Sequence, residues 1–245
     1  MCRKPILDRK NPWTDRDVEA HWDRVSDIYV RENNKVKYAH DQRFVETLRY
    51  LSPESNAVVL NITSRDCEAA EYILSHEPTV RVINAEISQG LMDEAKRIRP
   101  YVKQVKIATY SDLPFGDAEF SRIVCLETLE HVESPVKFLK ELHRVSTADA
   151  RMVLSCPPLT SEPAYRVYTF LFGGHGEGPH RFLPSREVKT LLRHTGWKLT
   201  MHKGTLLIPA GPIFLQRFGE WVIRKMQRTF ISEFGIRQFY VCEKI

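Results

Sequence analysis

The sequence has no glycine before Gly90, although it contains 11 glycines in its 245 residues. Glycine is the residue that adopts positive φ without strain and lets the backbone approach a ligand closely. Loops that bind nucleotides between a first strand and a first helix normally depend on it. This absence excludes a conventional glycine-rich loop from the first third of the chain.

Paired or clustered cysteines are also absent. The five cysteines are an odd number and show no CxxC spacing, which argues against a zinc site or a disulfide framework and for a reducing compartment. Cys125 and Cys156 lie in apolar runs, so we expect them to be buried thiols. We predict a cytoplasmic protein without a metal site.

Long apolar segments and concentrated charge are missing as well. No apolar run approaches the roughly 18 residues that a membrane span needs, and the segment MCRKPILDRKNPW has no apolar stretch typical of a signal peptide. The net charge of +5 comes from scattered Lys and Arg residues, so no nucleic-acid partner is expected.

The sequence does contain an alternation of β-type and amphipathic segments. The first four apolar runs recur about every 20 residues, the period of a strand followed by a helix. Strands that are apolar on both faces form parallel sheets with helices on both sides, which predicts an α/β fold. The predicted strands are AVVLNI (57–62), TVRVIN (79–84), VKQVKI (102–107), RIVCLE (122–127), RMVLS (151–155), LTMHK (199–203) and RQFYVCE (237–243).

Helices are predicted before, between and after these strands. Two of them, at 14–29 and 40–51, precede the sheet. Because no linker interrupts the pattern, we predict one domain over 1–245. It has an N-terminal helical cap at 1–52 and a helical insertion at 204–235 before the last strand.

Ligands of open parallel sheets bind beyond the carboxyl ends of the strands. Glu86 and Ile87 come directly after the second predicted strand. An ionised carboxylate there can accept hydrogen bonds from both hydroxyls of a ribose, which predicts a nucleoside-type ligand. A solvated carboxylate near a helix start is the alternative, because the helix dipole also favours one.

A long segment with a specific pattern follows the third strand. It reads LPFGDAEFSRIVCLETLEHVESPVKFLKELHRV (113–145) and continues in VLSCPP (153–158) and HRFLPSREVKTLLRHTGWKL (180–199). The sequence from about residue 40 to the end resembles the class I S-adenosylmethionine-dependent methyltransferases, in the small-molecule (type 11-like) group. The resemblance implies a Rossmann-like, seven-stranded, mostly parallel sheet whose last strand, RQFYVCE, is antiparallel.

The resemblance places the cofactor-binding loop at 61–67. Asn61 matches the acid that opens the family's first motif, and Thr63, Arg65 and Cys67 match its glycines. Thr63 is β-branched, and a β-branched residue at positive φ is a true outlier; such strain costs about 1–3 kcal/mol. S-adenosylmethionine is therefore the implied cofactor, on a loop that lacks the usual glycines.

Five further positions acquire roles by resemblance. Glu86 matches the acid that binds the ribose. Thr109 stands where the family usually has an aspartate facing the adenine amine, and Tyr110 flanks the ring. Leu126 and Glu127 match positions near the methionine end of the cofactor and the methyl acceptor.

The altered loop leaves two functions open. In the first, which we favour, the chain methylates a small molecule of sugar, lipid or natural-product type. In the second, the protein is catalytically inactive and acts as a scaffold or as the partner of an active paralogue. A nicotinamide-dependent dehydrogenase fits less well, because it also needs a glycine fingerprint.

Methyl transfer depends mostly on alignment, although a hydroxyl acceptor often needs a base. Glu127 and His131, after the fourth strand, and His180 are the predicted catalytic residues. The alternative for His131 is a structural role in which its hydrogen bonds hold the loop. His175 and His180 lie in a segment with four glycines (172–182), which predicts either a mobile lid or a flexible surface loop.

The insertion contains an amphipathic segment, IFLQRFGEWVIRKMQRTF (213–230). Its apolar face comprises Phe214, Phe218, Trp221, Val222 and Met226. We favour packing of this face on the domain. A peripheral membrane or lipid contact is the alternative, and a homodimer or a paralogue is a further possible partner.

Overall fold

A computed structural model describes residues 10–35, 37–163, 165–166, 178–209, 211–227 and 229–245. Its centre is a seven-stranded sheet with the strand order β3-β2-β1-β4-β5-β7-β6. The strands are β1 (Val58–Ile62), β2 (Arg81–Glu86), β3 (Gln104–Lys106), β4 (Phe120–Leu126), β5 (Ser146–Cys156), β6 (Trp197–Thr205) and β7 (Arg237–Lys244).

Strands β1 to β5 pair in parallel, whereas β7 runs antiparallel to both β5 and β6. The predicted Rossmann-like sheet with a reversed last strand is therefore confirmed. The strand order reverses between β1 and β4, because β1 pairs with β2 on one side and with β4 on the other. A ligand crevice is expected beyond the carboxyl ends of these two strands.

Helices cover both faces of the sheet. Along β4, Ile123 and Cys125 belong to one core cluster, and Val124 belongs to the other. This period of two explains why the parallel strands are apolar throughout. The helices are α1 (Asp15–Lys35), α2 (Lys37–Leu51), α3 (Glu68–His76), α4 (Gln89–Ile98), α5 (Pro135–Val145), α6 (Ser185–His194) and α7 (Ile213–Lys225).

Helix α1 is longer than predicted and packs tightly on α4. The carboxylate of Asp23 accepts hydrogen bonds from the Ser88 hydroxyl (2.7 Å) and the Gly90 amide (2.9 Å). A Cβ atom at Gly90 would lie 3.1 Å from the Asp23 backbone and 2.7 Å from the Ser26 hydroxyl. The glycine therefore allows α1 to approach the start of α4 closely.

The predicted packing of the insertion helix is wrong in one respect. Phe214, Phe218 and Trp221 are exposed, and α7 contacts the domain through Gly219 and Ile223 instead. The absence of a side chain at Gly219 explains the difference, because a Cβ atom there would already lie 3.0 Å from the Ile208 side chain. No helix among the described residues is long and apolar enough to cross a membrane.

The cysteines follow the expectation from composition. Cys125 and Cys156 are buried and free, as are Cys67 and Cys242. Burial raises the pKa of the Cys67 thiol to about 12. A thiol that stays protonated is a poor nucleophile, so we assign Cys67 no covalent role.

Candidate active site

The loop after β1 keeps a glycine-type backbone without glycine. Thr63, Arg65 and Cys67 have φ angles of 56°, 53° and 64°. These are the three positions that match glycines in the methyltransferase family that the sequence resembles. All three lie in the left-handed region that disfavours residues with a Cβ atom, so other contacts must hold the loop in this conformation.

Glu86 provides those contacts. One oxygen of its carboxylate, Oε2, accepts a hydrogen bond from the Arg65 amide at 2.7 Å. The other, Oε1, accepts hydrogen bonds from the amides of Ile87 (2.9 Å) and Ser88 (3.0 Å). The side chain is fully buried. Bonds to a charged acceptor are stronger than neutral ones, so Glu86 ties the end of β2 to the strained loop.

Asn61 lies within β1 and is directed toward the neighbouring strand. Its Nδ2 atom donates a hydrogen bond to the Asn84 side-chain oxygen at 2.8 Å, and both residues are buried. The Asn61 side chain therefore joins β1 to β2. Leu126 lies at the end of β4, also buried.

The carboxylate of Asp15 reaches the predicted adenine-side residues. Its Oδ2 atom accepts hydrogen bonds from the Thr109 hydroxyl (2.6 Å) and the Tyr110 amide (2.8 Å). Its Oδ1 atom accepts one from the Glu133 amide at 3.0 Å. Asp15 thus brings a carboxylate to Thr109, where the family usually has its own aspartate. Sequence reasoning missed Asp15, whose only signal was an acid at a helix start.

Arg65 attaches helix α1 to the loop. Its guanidinium carbon lies 3.7 Å from the centre of the Trp22 ring and 6.0 Å from that of Tyr29. Such cation–π contacts are strongest when they are shielded from water, and Arg65 is only 8% exposed. Together with Asp15, these contacts hold α1 across the carboxyl ends of β1 and β2.

His131 is buried and hydrogen-bonded to the backbone. Its Nδ1 atom donates to the Pro179 carbonyl oxygen at 2.8 Å. Burial, and then the charge of Arg65, lower the pKa of His131 to about 3. The imidazole is therefore neutral near pH 7 and a weak base. This geometry favours a structural role for His131, in which it holds its loop against Pro179.

His180 and Glu127 are the other predicted catalytic residues. The His180 ring lies 6.2 Å from that of His131, and Nδ1 lies 3.0 Å from the Gly178 carbonyl oxygen. Oε1 of Glu127 accepts hydrogen bonds from the Ser155 hydroxyl (2.7 Å) and Arg237 Nε (3.1 Å). Glu127 also has positive φ, 51°.

Part of the predicted lid lies outside the described residues. His175 and the glycines at 173, 174 and 176 belong to that part. Gly178 is described, with φ of 64° and its Cα against the His21 ring, where a Cβ atom would lie 2.4 Å from the ring. The described end of the segment therefore contacts α1.

One group of side chains in the described part of the chain has the composition of a metal site. His40, Asp41 and Glu68 have potential ligand atoms within 4.8 Å of one another. His40 Nε2 already lies 2.7 Å from Glu68, and Asp41 forms an ion pair with Lys37 at 2.8 Å. These partners account for the cluster without a metal, and the expected absence of a metal site stays a prediction.

Comparison with known proteins identifies the domain. Residues 60–154 match the family model described as a methyltransferase domain. These residues form a class I S-adenosylmethionine-dependent methyltransferase domain. They contain both the strained loop and Glu86.

Individual proteins similar to the methyltransferase domain share little sequence with it. The ubiquinone/menaquinone biosynthesis C-methyltransferase UbiE of Geotalea uraniireducens is 21% identical, covering 76% of this chain and 89% of its own. Geranyl diphosphate C-methyltransferase from Streptomyces coelicolor matches with a TM-score of 0.61 at 12% identity, covering 84% of this chain and 76% of its own. The [4+2]-cyclase SpnF matches with a TM-score of 0.69 at 12% identity, covering 97% of this chain and 98% of its own. Both structural matches show the fold alone.

S-adenosylmethionine is the cofactor of this methyltransferase domain, and the loop fits it. The left-handed backbone at Thr63, Arg65 and Cys67 has the shape that glycines give to such loops. Glu86 is the last residue of β2, at the carboxyl edge of the sheet where the family has its ribose-binding acid. Bound there, the cofactor supplies an electrophilic methyl group on sulfur, and the chain has to orient an acceptor toward it.

We predict that Thr63→Gly leaves the protein as stable as the wild type or more stable, by up to about 2 kcal/mol. The strain released is about 1–3 kcal/mol, and the added freedom of the unfolded chain offsets about 0.5–1 kcal/mol of it. Urea unfolding measures the difference. The control is Thr47→Gly in α2, where the loss of a buried side chain and of helix propensity should together cost about 1 kcal/mol or more. If Thr63→Gly lowered the free energy of unfolding as much as the control does, the loop would not be strained at Thr63.

Proposed function

We propose that this domain transfers the methyl group of S-adenosylmethionine to a lipid-like small molecule at a membrane surface. The observation that supports methyl transfer is the hydrogen bonding of Glu86, which maintains the cofactor-binding conformation of the loop. In the reaction, a nucleophilic atom of the acceptor forms a bond to the methyl carbon as the bond to sulfur breaks. S-adenosylhomocysteine leaves, and a proton lost by the acceptor passes to a base or to water.

The names of two similar proteins suggest the type of acceptor. UbiE is named for ubiquinone and menaquinone biosynthesis, and the Streptomyces coelicolor enzyme for geranyl diphosphate. Both names denote molecules with apolar chains. Such distant similarity does not transfer a substrate, because one fold carries many functions. The surface of this chain supplies an independent argument for a lipid.

Large apolar side chains are exposed on α7 and the turn that follows it. Phe214 is 66% exposed and Phe230 74% exposed. Phe218 stacks on Trp221, and the rings of Phe230 and Phe234 contact each other. Groups of exposed apolar side chains of this kind mark interaction sites more often than single ones do. We call this set the apolar surface: Ile213, Phe214, Leu215, Phe218, Trp221, Phe230 and Phe234.

Positive charges accompany the apolar surface. Arg217, Arg224 and Lys225 are exposed on the same helix. Glu220 is directed inward, where it accepts hydrogen bonds from the Leu206 amide and, at 3.2 Å, from Gln42 Nε2. Aromatic and cationic side chains without exposed acids are typical of helices that lie in an anionic membrane interface.

We propose that two segments of the single domain 1–245 have different roles. The N-terminal cap, 1–52, covers the cofactor end of the sheet, and the contacts of Asp15 and Trp22 must open to admit the cofactor. The insertion, 204–235, meets the membrane on its cytoplasmic side. A second copy of the chain or a paralogue is the alternative occupant of the apolar surface.

Calorimetric titration with S-adenosylmethionine and S-adenosylhomocysteine tests the cofactor assignment. We expect binding by the wild type, and a Kd about tenfold or more weaker for Glu86→Gln, because a charged acceptor is lost from the loop and the ribose site. Glu94→Gln, at an exposed ion pair of α4, is the control. No binding at millimolar ligand would leave the inactive scaffold or partner as the function, and an unchanged Kd for Glu86→Gln would refute its role.

Co-sedimentation with vesicles tests the membrane contact. We expect the protein to bind vesicles that contain phosphatidylserine at low salt, and to dissociate from them at high salt because surface charge is screened. The double variant Phe214→Ser, Phe218→Ser should lose binding, whereas Tyr101→Ser, an exposed aromatic residue elsewhere, should retain it. Absence of wild-type binding at low salt would refute the contact. Self-association that the double variant abolishes would assign the apolar surface to a second copy.

A further inference from the structure

Three arginines meet beyond the carboxyl ends of β4 and β5. Arg43 comes from α2, Arg65 from the loop after β1, and Arg237 is the first residue of β7. Tyr29 links two of them: its hydroxyl accepts a hydrogen bond from Arg43 Nη2 at 3.3 Å, and its ring lies 6.0 Å from the Arg65 guanidinium. Three cationic groups from distant parts of the chain therefore share one buried region.

Glu127 is the carboxylate in direct contact with one of these three guanidinium groups. Glu127 forms an ion pair with Arg237 at 3.1 Å, and its backbone oxygen lies 3.5 Å from Arg65 Nη2. Within the described part of the chain, no carboxylate oxygen is paired within 4.0 Å of Arg43 or Arg65. Glu127 and Asp66 act on Arg43 only from a longer distance, so neither Arg43 nor Arg65 has a carboxylate in direct contact among the described residues.

The remaining partner of Arg43 is uncharged. Arg43 Nη2 lies 3.0 Å from His40 Nδ1, and Nε2 of the same ring lies 2.7 Å from Glu68. Burial, and then the charge of Arg43, lower the pKa of His40 although Glu68 opposes them. A neutral imidazole can accept from Arg43 and donate to Glu68, but it does not neutralise Arg43 by direct contact.

Two donors of these arginines have no partner. Arg43 Nε and Arg65 Nη1 are buried and make no hydrogen bond to the described residues. Arg65 is 8% exposed, so water does not fully solvate its charge. A buried charge with an unsatisfied donor is costly, and a planar guanidinium matches the oxygens of a carboxylate or a phosphate.

We infer that Arg43 and Arg65 bind a carboxylate or phosphate group of a ligand. Arg237 neutralises Glu127 beside them and is fixed by a further bond from its Nη1 atom to the Ala39 carbonyl oxygen at 3.0 Å. Two molecules at the proposed active site carry such chemistry, so the inference rests on the proposed function. One is the cofactor, through its amino-acid carboxylate, and the other is an acceptor with an anionic head group.

Calorimetry on the full chain distinguishes these sources. The first pair of probes is S-adenosylhomocysteine and 5′-methylthioadenosine, which lacks the amino-acid carboxylate. The second probe is inorganic pyrophosphate, added to protein saturated with S-adenosylhomocysteine. Each is titrated into the wild type, Arg43→Gln, Arg65→Gln and Arg43→Lys. Arg49→Gln, on the same helix but exposed and paired with Glu46, is the matched control.

If the site binds the cofactor carboxylate, Arg43→Gln and Arg65→Gln should each weaken the affinity for S-adenosylhomocysteine by about tenfold or more. The same variants should leave the affinity for 5′-methylthioadenosine unchanged. A site for the acceptor predicts that the same variants lose pyrophosphate binding and keep that of S-adenosylhomocysteine. In both cases Arg43→Lys should restore part of the affinity, which separates loss of charge from loss of folding.

The inference is overturned if both glutamine variants bind S-adenosylhomocysteine and pyrophosphate within about twofold of the wild type, or if the wild type binds neither. Wild-type protein that binds pyrophosphate but no S-adenosylhomocysteine would refute the proposed function and retain the anion site. Equal losses in Arg49→Gln would show a nonspecific effect of net charge and also overturn it.

Discussion

The carboxylate of Glu86 is the group on which the site depends. It accepts three backbone hydrogen bonds, and one of them comes from Arg65 in the middle of the strained loop. Each left-handed non-glycine residue costs about 1–3 kcal/mol, and each hydrogen bond to a charged group returns about 1.5–3 kcal/mol. These magnitudes are comparable, so a loop without glycine can keep the backbone that glycine normally provides. An acid expected to bind a ribose therefore also has a structural role in this chain.

Side chains in place of glycine also change what surrounds the loop. A glycine at position 65 could not stack on Trp22, whereas Arg65 does so at 3.7 Å. The N-terminal helix is thereby attached to the cofactor-binding loop, and Asp15 attaches its first turn to Tyr110. Both contacts fix α1 beside the cofactor-binding loop. The same side chain also places a guanidinium near Tyr29, whose hydroxyl accepts a hydrogen bond from Arg43.

Sequence patterns were sufficient for the sheet but not for the contacts across it. Apolar runs with β-type spacing located β1, β2 and β4, because burial on both faces leaves a direct signal in the residues themselves. Glu86 was found in the same way, because it follows the predicted strand 79–84 and is in fact the last residue of β2. Asp15 and Arg43 gave no comparable signal, because their roles come from partners distant in the chain. In α7 the helical spacing of apolar residues predicted an apolar face. The close contact of Gly219 with Ile208, which the spacing does not reveal, decides which side of the helix faces the domain.

A double-mutant cycle in urea unfolding tests the link between Glu86 and the strained loop most directly. It compares the wild type, Thr63→Gly, Glu86→Gln and the double variant. If Glu86 holds the loop against its strain, Glu86→Gln should cost at least about 1 kcal/mol less in the protein with glycine at position 63, a coupling typical of residues within one network. Losses that add within about 0.5 kcal/mol would show that the two residues act independently and would contradict the account.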